Sequence, residues 1–116
     1  LSFIGAERVV DHYSLMGPVK AVLETSVRNL AHELGPKSLR VNAISAGAIK
    51  TRAASGIEHF DELIRETETK SPLRRTVTAD EVGRAALLLA SDHTTAITGE
   101  ILHVDAGFHV DGMVFH

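Results

Sequence analysis

Between Val19 and Leu34 the hydrophobic positions follow the spacing of one helix face. Apolar residues recur there at intervals of three and four, namely Val19, Val22, Leu23, Val27, Leu30, Ala31 and Leu34. Ser14 can cap such a helix, Gly17 and Pro18 fit its first turn, and Gly35-Pro36 ends it. The pattern predicts a helix from about Ser14 to Leu34. Its face with Val19, Val22, Val27 and Leu30 should be buried against a sheet or a partner subunit.

Two short runs rich in apolar and β-branched residues predict strands. They extend from Leu39 to Ser45 and from Glu100 to Val104, and turn-forming residues bound each of them. Leu1 to Ile4 has the pattern of the end of another strand, as if the chain began partway through it. A long helix that leads through a short turn into a buried strand is half of a right-handed βαβ unit. The order of elements therefore predicts an α/β fold with a parallel sheet.

The stretch from Ala48 to Leu73 is irregular. Its apolar residues predict one or two short amphipathic helices, which Pro72 ends: Ile49, Ala53, Ile57, Phe60, Leu63 and Ile64. A long excursion after a parallel strand is a common position for a substrate lid, and a pair of plain surface helices has the same pattern. The sequence leaves both interpretations open.

The carboxyl-terminal third contains a clear helix start. Thr78 and Glu81 form a capping box ahead of an apolar helical pattern that ends near Ser91. The last nine residues are apolar enough to need a partner surface, since they include Phe108, Val110, Met113, Val114 and Phe115.

Composition narrows the class of protein. With 116 residues, of which 44% are hydrophobic and 23% charged, the chain has the makeup of one globular domain or a piece of one. A net charge of −3, one Tyr and no Trp argue against a nucleic-acid partner. The lack of cysteine excludes disulfides and is compatible with a cytoplasmic location. Seven His residues show no metal-ligand spacing, so we expect no metal site; His103 and His109 are nearest to a pair. No apolar run reaches the roughly 18 residues that a membrane span needs.

Tyr13 and Lys20 are the residues with the most distinctive chemistry. They are seven positions apart, close to two turns at about 3.6 residues per turn, so one continuous helix would place both on one face. A nearby ammonium would lower the Tyr13 pKa from about 10 and make the phenol a better proton donor. A half-buried ring and a solvated ammonium often have the same spacing. If the helix starts at Pro18, Tyr13 lies outside it and the argument weakens.

Four collinear motifs resemble bacterial enoyl-acyl-carrier-protein reductases, a divergent branch of the short-chain dehydrogenase/reductase superfamily. They are Tyr13-x6-Lys20, the run from Val41 to Thr51, the run from Arg52 to Ile57, and the run from His103 to Phe108. The wider superfamily usually has three residues between its Tyr and Lys and Pro-Gly where this chain has Ala46-Gly47. The resemblance covers essentially the whole chain. It implies a Rossmann-type parallel sheet with flanking helices, present here as the carboxyl-terminal half of a single domain, residues 1–116.

The resemblance also implies a reaction and its site residues. NADH or NADPH would reduce the carbon–carbon double bond of a trans-2-enoyl thioester carried by acyl carrier protein or coenzyme A, in fatty acid biosynthesis. Tyr13 and Lys20 would be catalytic, Tyr13 at the enolate oxygen and Lys20 at the nicotinamide ribose. The cofactor would contact Lys20, Ile49, Lys50, Thr51 and Ala53. The acyl pocket would comprise Phe3, Tyr13, Met16, Ala53, Ile57, Phe60 and Leu63. A homo-oligomer, a tetramer in full-length members, is implied as well.

The chain departs from the family pattern in two ways. Many members have a second active-site Tyr where this chain has Phe3, although some branches carry Phe there. None of the nine glycines forms Gly-x-Gly-x-x-Gly, so the dinucleotide-binding half of the fold is missing and we expect the isolated chain to be inactive.

Two alternatives therefore stay open. One is a carbonyl-reducing member of the same superfamily, whose catalytic Ser would precede this chain because Ser2 is too near Tyr13. The other is a non-catalytic remnant that acts in subunit assembly.

Overall fold

A computed structural model describes residues 1–51 and 59–115 of the chain. Three α-helices are present in this part, α1 (Met16–Leu34), α2 (Phe60–Lys70) and α3 (Ala79–Ala90). Two strands, β1 (Ala43–Ala46) and β2 (Ile101–Val104), are joined by short 3-10 turns and loops to the helices. None of the helices in these residues is long and apolar enough to cross a membrane.

Strand β1 has a neighbour on each side. It pairs in parallel with β2, with Ala43 opposite Ile101 and Ala46 opposite Val104. On the other side Ser2 forms a parallel bridge with Ser45. The Ser2 N–H donates to the Ile44 carbonyl at 2.7 Å, and the Ala46 N–H donates to the Ser2 carbonyl at 3.2 Å. The predicted parallel α/β arrangement is thus present, and both strands are shorter than predicted.

The segment before β1 is linked to the chain before β2 mainly through side chains. Asn42 donates from its amide nitrogen to the Ile97 carbonyl and accepts from the Glu100 N–H. The Val41 N–H donates to the Thr98 hydroxyl. One backbone bond also joins the two segments, from the Gly99 N–H to the Val41 carbonyl at 2.7 Å. The regular strand begins at Ala43 and not at Leu39. The predicted first strand is likewise reduced to the Ser2 bridge, because a 3-10 turn follows at Ile4–Ala6.

The buried core joins α3 to the sheet. Ile44 on β1 packs with Val77, Val82 and Ala106, and a ring of half-buried apolar residues surrounds them: Ala46, Ile49, Ala85, Leu89 and Val104. Burying such side chains contributes about 1.5–3 kcal/mol each. This cluster fixes the direction of β1 and therefore the position of the residues that follow it.

Helix α1 differs from its prediction at its start and on one face. It begins at Met16, because Ser14 has a left-handed backbone with φ of 55° and Leu15 takes the N-cap position without a side-chain cap bond. The proposed Ser14 cap is therefore wrong, whereas Gly17 and Pro18 do lie in the first turn. Val27 is buried as predicted. Val19, Val22 and Leu30 are 51%, 66% and 43% exposed, so nothing in the described part of this chain buries them.

Of the one or two helices predicted between Ala48 and Leu73, α2 is present from Phe60 to Lys70. Ser71 is its C-cap and directly precedes Pro72. The carboxyl-terminal tail remains exposed at Val110, Met113, Val114 and Phe115.

The capping box of α3 is confirmed. The Glu81 N–H donates to the Thr78 hydroxyl at 3.1 Å, and the Glu81 carboxylate accepts from the Thr78 N–H at 2.9 Å. Hydrogen bonding from Arg75, followed by that from the Thr78 backbone, lowers the pKa of the Glu81 carboxyl to about 2. The carboxylate is therefore ionised, and able to accept both bonds, across the physiological pH range.

Thr78→Ala removes one half of this box. We expect the free energy of unfolding to fall by about 1 kcal/mol, because the Glu81 N–H loses its acceptor. Urea denaturation followed by circular dichroism measures the change. Thr69→Ala is the matched control, since the Thr69 hydroxyl bonds only the Arg65 carbonyl within α2 and is exposed. Equal losses in the two variants would contradict a specific capping role.

Candidate functional site

A cavity of about 250 Å³ lies at the carboxyl end of β1. Ligands of open parallel sheets bind at this end of the strands, because the connecting loops meet there. The lining comes from four parts of the chain, and most of it is apolar. The lining residues in the described part are Leu1, Ser2, Phe3, Val10, Asp11, Tyr13, Lys20, Ala46, Gly47, Ala48, Ile49, Thr51, His59, Phe60 and Leu63.

Tyr13 reaches the cavity from a loop and not from a helix. Its N–H donates to the Val10 carbonyl at 3.2 Å, and its own carbonyl accepts from the Met16 N–H at 3.2 Å. Its neighbours His12 and Ser14 both have positive φ. The prediction that Tyr13 and Lys20 share a helix face is therefore wrong, because the helix starts three residues after Tyr13.

The Tyr13 ring is held between an aromatic neighbour and a glycine. Its centroid lies 5.1 Å from that of Phe3, with the planes tilted by 49°. A Cβ at Gly5 would come within 2.6 Å of the Tyr13 ring, and one at Gly17 would come within 2.9 Å of the Gly5 carbonyl oxygen. Both glycines thus permit the close contact that places the phenol beside the cavity.

Lys20 approaches the same cavity from the second turn of α1. Its Nζ donates to the Leu1 carbonyl at 2.9 Å, so the first segment of the chain orients the ammonium. The phenol and the ammonium therefore line one space, although the backbone route to it differs from the predicted one.

Burial raises the pKa of the Tyr13 phenol above its ordinary value of 10. The prediction that Lys20 lowers the pKa of Tyr13 is wrong. Desolvation disfavours the charged tyrosinate, and the ammonium of Lys20 is engaged with a backbone carbonyl. Tyr13 consequently carries its proton at neutral pH and acts as a hydrogen-bond donor.

The other predicted site residues fall into three groups. Phe3, Ile49, Thr51, Phe60 and Leu63 line the cavity with Tyr13 and Lys20. Met16 and Lys50 are exposed and are not among the residues that line it. Ala53 and Ile57 lie outside the described residues.

Sequence reasoning missed several lining residues. Ala46, Gly47 and Ala48 could have been found, because they follow directly from the carboxyl end of a predicted strand. Ser2, Asp11 and His59 gave no signal, since only the tertiary fold brings them to the cavity.

His103 and His109, whose spacing is nearest to that of a metal-ligand pair, contact each other and Asp105. The rings of His103 and His109 stack with centroids 3.8 Å apart, and His109 Nδ1 lies 2.8 Å from the Asp105 carboxylate. In residues 1–51 and 59–115 no group of three or more His, Asp or Glu side chains could hold a metal ion.

Parallel strands, covering helices and a cavity at the strand ends define a Rossmann-like α/β fold. The family model described as Enoyl-(Acyl carrier protein) reductase matches residues 1–109. The chain therefore belongs to the enoyl-(acyl carrier protein) reductase family.

Curated relatives agree with this assignment. The chain is 54% identical over 113 residues to "Enoyl-[acyl-carrier-protein] reductase [NADH] 1" of Rhizobium meliloti, covering 97% of this chain and 42% of that protein. It is 50% identical over 113 residues to "Enoyl-[acyl-carrier-protein] reductase [NADH] FabI" of Escherichia coli, covering 97% and 43%. The chain thus spans less than half the length of these relatives.

Solved structures give the same result for the fold. The Bacillus cereus enoyl-acyl carrier protein reductase with NADP+ and indole naphthyridinone superposes with a TM-score of 0.93 at 50% identity. The Aquifex aeolicus enoyl-[acyl-carrier-protein] reductase (NADH) has a TM-score of 0.93 at 46% identity. Each match covers 97% of this chain and 44% of the solved one.

The raised pKa of Tyr13 can be measured directly, because the chain has one Tyr and no Trp. We expect the ultraviolet absorbance of tyrosinate to appear with a midpoint above 10 in the folded protein and near 10 in urea. The contribution of the neutral phenol to the free energy of unfolding is fully present below pH 10. It is lost as the pH rises through the pKa that Tyr13 has in the folded protein. Lys20→Met should leave the midpoint above 10. A native midpoint below 10 that rises in Lys20→Met would show that the ammonium outweighs burial.

Proposed function

We propose that the protein to which this chain belongs is an enoyl-acyl-carrier-protein reductase, which reduces trans-2-enoyl thioesters with NADH or NADPH in fatty acid biosynthesis. The observation that carries the proposal is that Tyr13 and Lys20 line one cavity at the carboxyl end of a parallel strand. The names of the two curated relatives, which give this activity and NADH, support it.

The residues of the cavity fit the nicotinamide end of a dinucleotide. Lys20 has three donors, and the bond to the Leu1 carbonyl uses one of them, so others can reach ribose hydroxyls. Ile49 offers apolar surface to the ring, and Thr51 lines the cavity on the side that we assign to the pyrophosphate. We propose that Lys50 and Ala53 also contact the cofactor. When bound, the cofactor would supply the hydride.

Tyr13 stabilises the charge that the reduction creates. Hydride addition to the β-carbon pushes the electron pair of the double bond towards the thioester carbonyl, whose oxygen becomes an enolate oxygen. A proton from solvent then adds to the α-carbon as the carbonyl re-forms. The Tyr13 hydroxyl donates a hydrogen bond to that oxygen. Because burial keeps the phenol protonated, it acts as a donor and not as a base.

The acyl chain needs only apolar surface, which Phe3, Phe60 and Leu63 provide. Phe3 packs against Tyr13 and has no hydroxyl, so a single phenol serves the substrate oxygen. We extend the same pocket to Met16, Ala53 and Ile57.

We further propose that residues 1–116 form the carboxyl-terminal part of one Rossmann-type domain and that the protein acts in the cytoplasm. The sequence lacks the Gly-x-Gly-x-x-Gly loop that holds a pyrophosphate at a helix N-terminus. The covered share of the relatives, 42% and 43%, is compatible with this reading.

NADH consumption with a crotonyl thioester tests the activity in the 116-residue chain and in a protein extended upstream from the gene. We expect reduction only in the extended protein, and Tyr13→Phe should lower its kcat by about 100-fold because the enolate oxygen loses its donor. Lys37→Met, at an exposed lysine, is the control and should change nothing.

Three other outcomes would contradict the proposal. Reduction of ketoacyl but not enoyl thioesters would favour the carbonyl-reducing alternative. Inertness of both proteins would favour a non-catalytic assembly role. Full activity in the folded Tyr13→Phe variant would remove the assigned role of the phenol.

We also propose a homo-oligomer that buries the α1 apolar face, defined as Val19, Val22 and Leu30. All three residues are exposed in this chain, with Val22 at 66%. At about 100° per residue they lie within about a quarter of the helix circumference, next to the side that carries the buried Val27 and Ala31. An apolar stripe of this kind needs a covering surface.

Val22→Glu places a charge in the α1 apolar face. We expect sedimentation velocity of the extended protein to show smaller species, since burying an unpaired carboxylate is costly. His32→Glu, at an exposed position on another side of α1, is the control and should keep the assembly. Unchanged sedimentation of a folded Val22→Glu variant would contradict burial of this face.

A further inference from the structure

Glu24 is a buried carboxylate for which neither the sequence nor the proposed chemistry gives a use. It lies on α1 one helical turn after Lys20 and is 5% exposed. Glutamate is almost never fully buried unless it is paired, so its partner is informative.

The partner is Ser2, which is 4% exposed. The Ser2 hydroxyl donates to Glu24 Oε2 at 2.6 Å, at the short end of the range for O–H···O hydrogen bonds. Ser2 also bonds to both Ile44 and Ala46 of β1 through its backbone. Glu24 therefore ties α1 to the segment that lies beside β1.

The same segment holds the ammonium of Lys20. The Leu1 carbonyl, which accepts from Lys20 Nζ at 2.9 Å, and the Ser2 N–H, which donates to Ile44 at 2.7 Å, belong to one peptide unit. Because a peptide unit is planar and rigid, its position along β1 determines where the carbonyl meets Lys20. The Glu24 bond is a second side-chain contact between α1 and this segment, beside that of Lys20 itself.

We propose that Glu24 is a positioning residue for the site. Its hydrogen bond to Ser2 sets the Leu1–Ser2 peptide, which orients Lys20 in the cavity. Through the next residue, Phe3, the same bond fixes the surface against which the Tyr13 ring packs, at a centroid distance of 5.1 Å. The consequence for dinucleotide binding rests on the proposed function, whereas the orientation of Lys20 does not.

The orientation is tested by the reactivity of Lys20 in the extended protein. Acetic anhydride labelling, read by peptide mass spectrometry, compares Lys20 with the exposed Lys37 in the same molecule. We expect Glu24→Met to raise the relative labelling rate of Lys20 by about threefold or more, since one hydrogen bond is lost. Glu24→Gln keeps an acceptor for Ser2 and should stay near the wild-type rate. Glu68→Met, at an exposed glutamate, should change nothing.

The consequence for the site is tested by steady-state kinetics with NADH and a crotonyl thioester. We expect Glu24→Met to raise the KM for NADH about tenfold while kcat changes little, because a displaced Lys20 weakens ribose binding. Glu24→Gln keeps an acceptor for Ser2, so its KM for NADH should stay close to that of the wild type. A general loss of structure would lower the active fraction and would not be rescued in this selective way.

The outcomes separate the two proposals. If the wild-type extended protein reduces no enoyl thioester, the proposed function fails and the labelling still decides the role of Glu24. If Glu24→Met does not fold, Ser2→Ala removes the same bond and should give the same rise in Lys20 labelling. Unchanged labelling in a folded Glu24→Met or Ser2→Ala variant overturns the inference, as does a Glu24→Gln variant as impaired as Glu24→Met.

Discussion

Strand β1 bonds to a neighbour on each side, and the rest of the described structure depends on this pairing. A strand buried in a parallel sheet must satisfy its N–H and C=O groups in both directions, and β1 does so with β2 on one side and Ser2 on the other. The pairing with β2 requires a crossover, in which α2 and α3 lie. The pairing with Ser2 brings the first residues of the chain to the strand end where the cavity opens.

The cavity shows how two opposing electrostatic effects are decided by geometry. Two unit charges 4 Å apart interact by about 4 kcal/mol at an effective dielectric constant near 20, enough to shift a phenol strongly if the partner faces it. In this chain Lys20 donates to the Leu1 carbonyl, and desolvation alone sets the direction of the Tyr13 pKa. The same pair of residue types therefore yields a neutral donor where the spacing alone suggested an activated phenol. A neutral donor suits the stabilisation of a developing oxyanion.

Two kinds of apolar surface are distributed over this chain. The residues around Ile44 form a buried cluster within the described part. The α1 apolar face and the tail residues Met113 and Phe115 remain exposed. A chain that spans less than half the length of its relatives has fewer elements with which to cover its helices, and small assemblies of elements bury a smaller fraction of their surface.

The local elements follow from the order of residues along the chain. The Thr78 capping box, the helical spacing up to Leu34 and the short strand ahead of Gly47 depend on neighbours within a few residues, so their patterns are visible along the chain. Four collinear motifs were enough to indicate the family, and the family model shows it. The cavity residues that follow β1 could also be predicted, because they come directly after a predicted strand. These are all cases in which the interacting groups are close in sequence or belong to one recognisable element.

The way in which distant residues combine at the site depends on packing in three dimensions. The Ser2–Glu24 hydrogen bond joins residues 22 positions apart, and no periodicity records it. The left-handed backbone of Ser14 moved Tyr13 out of α1, and the fold returned its ring to the cavity by way of Phe3, Gly5 and Gly17. The pKa of Tyr13 depends on which atoms surround the phenol and where the Lys20 ammonium points, and both follow from packing in three dimensions.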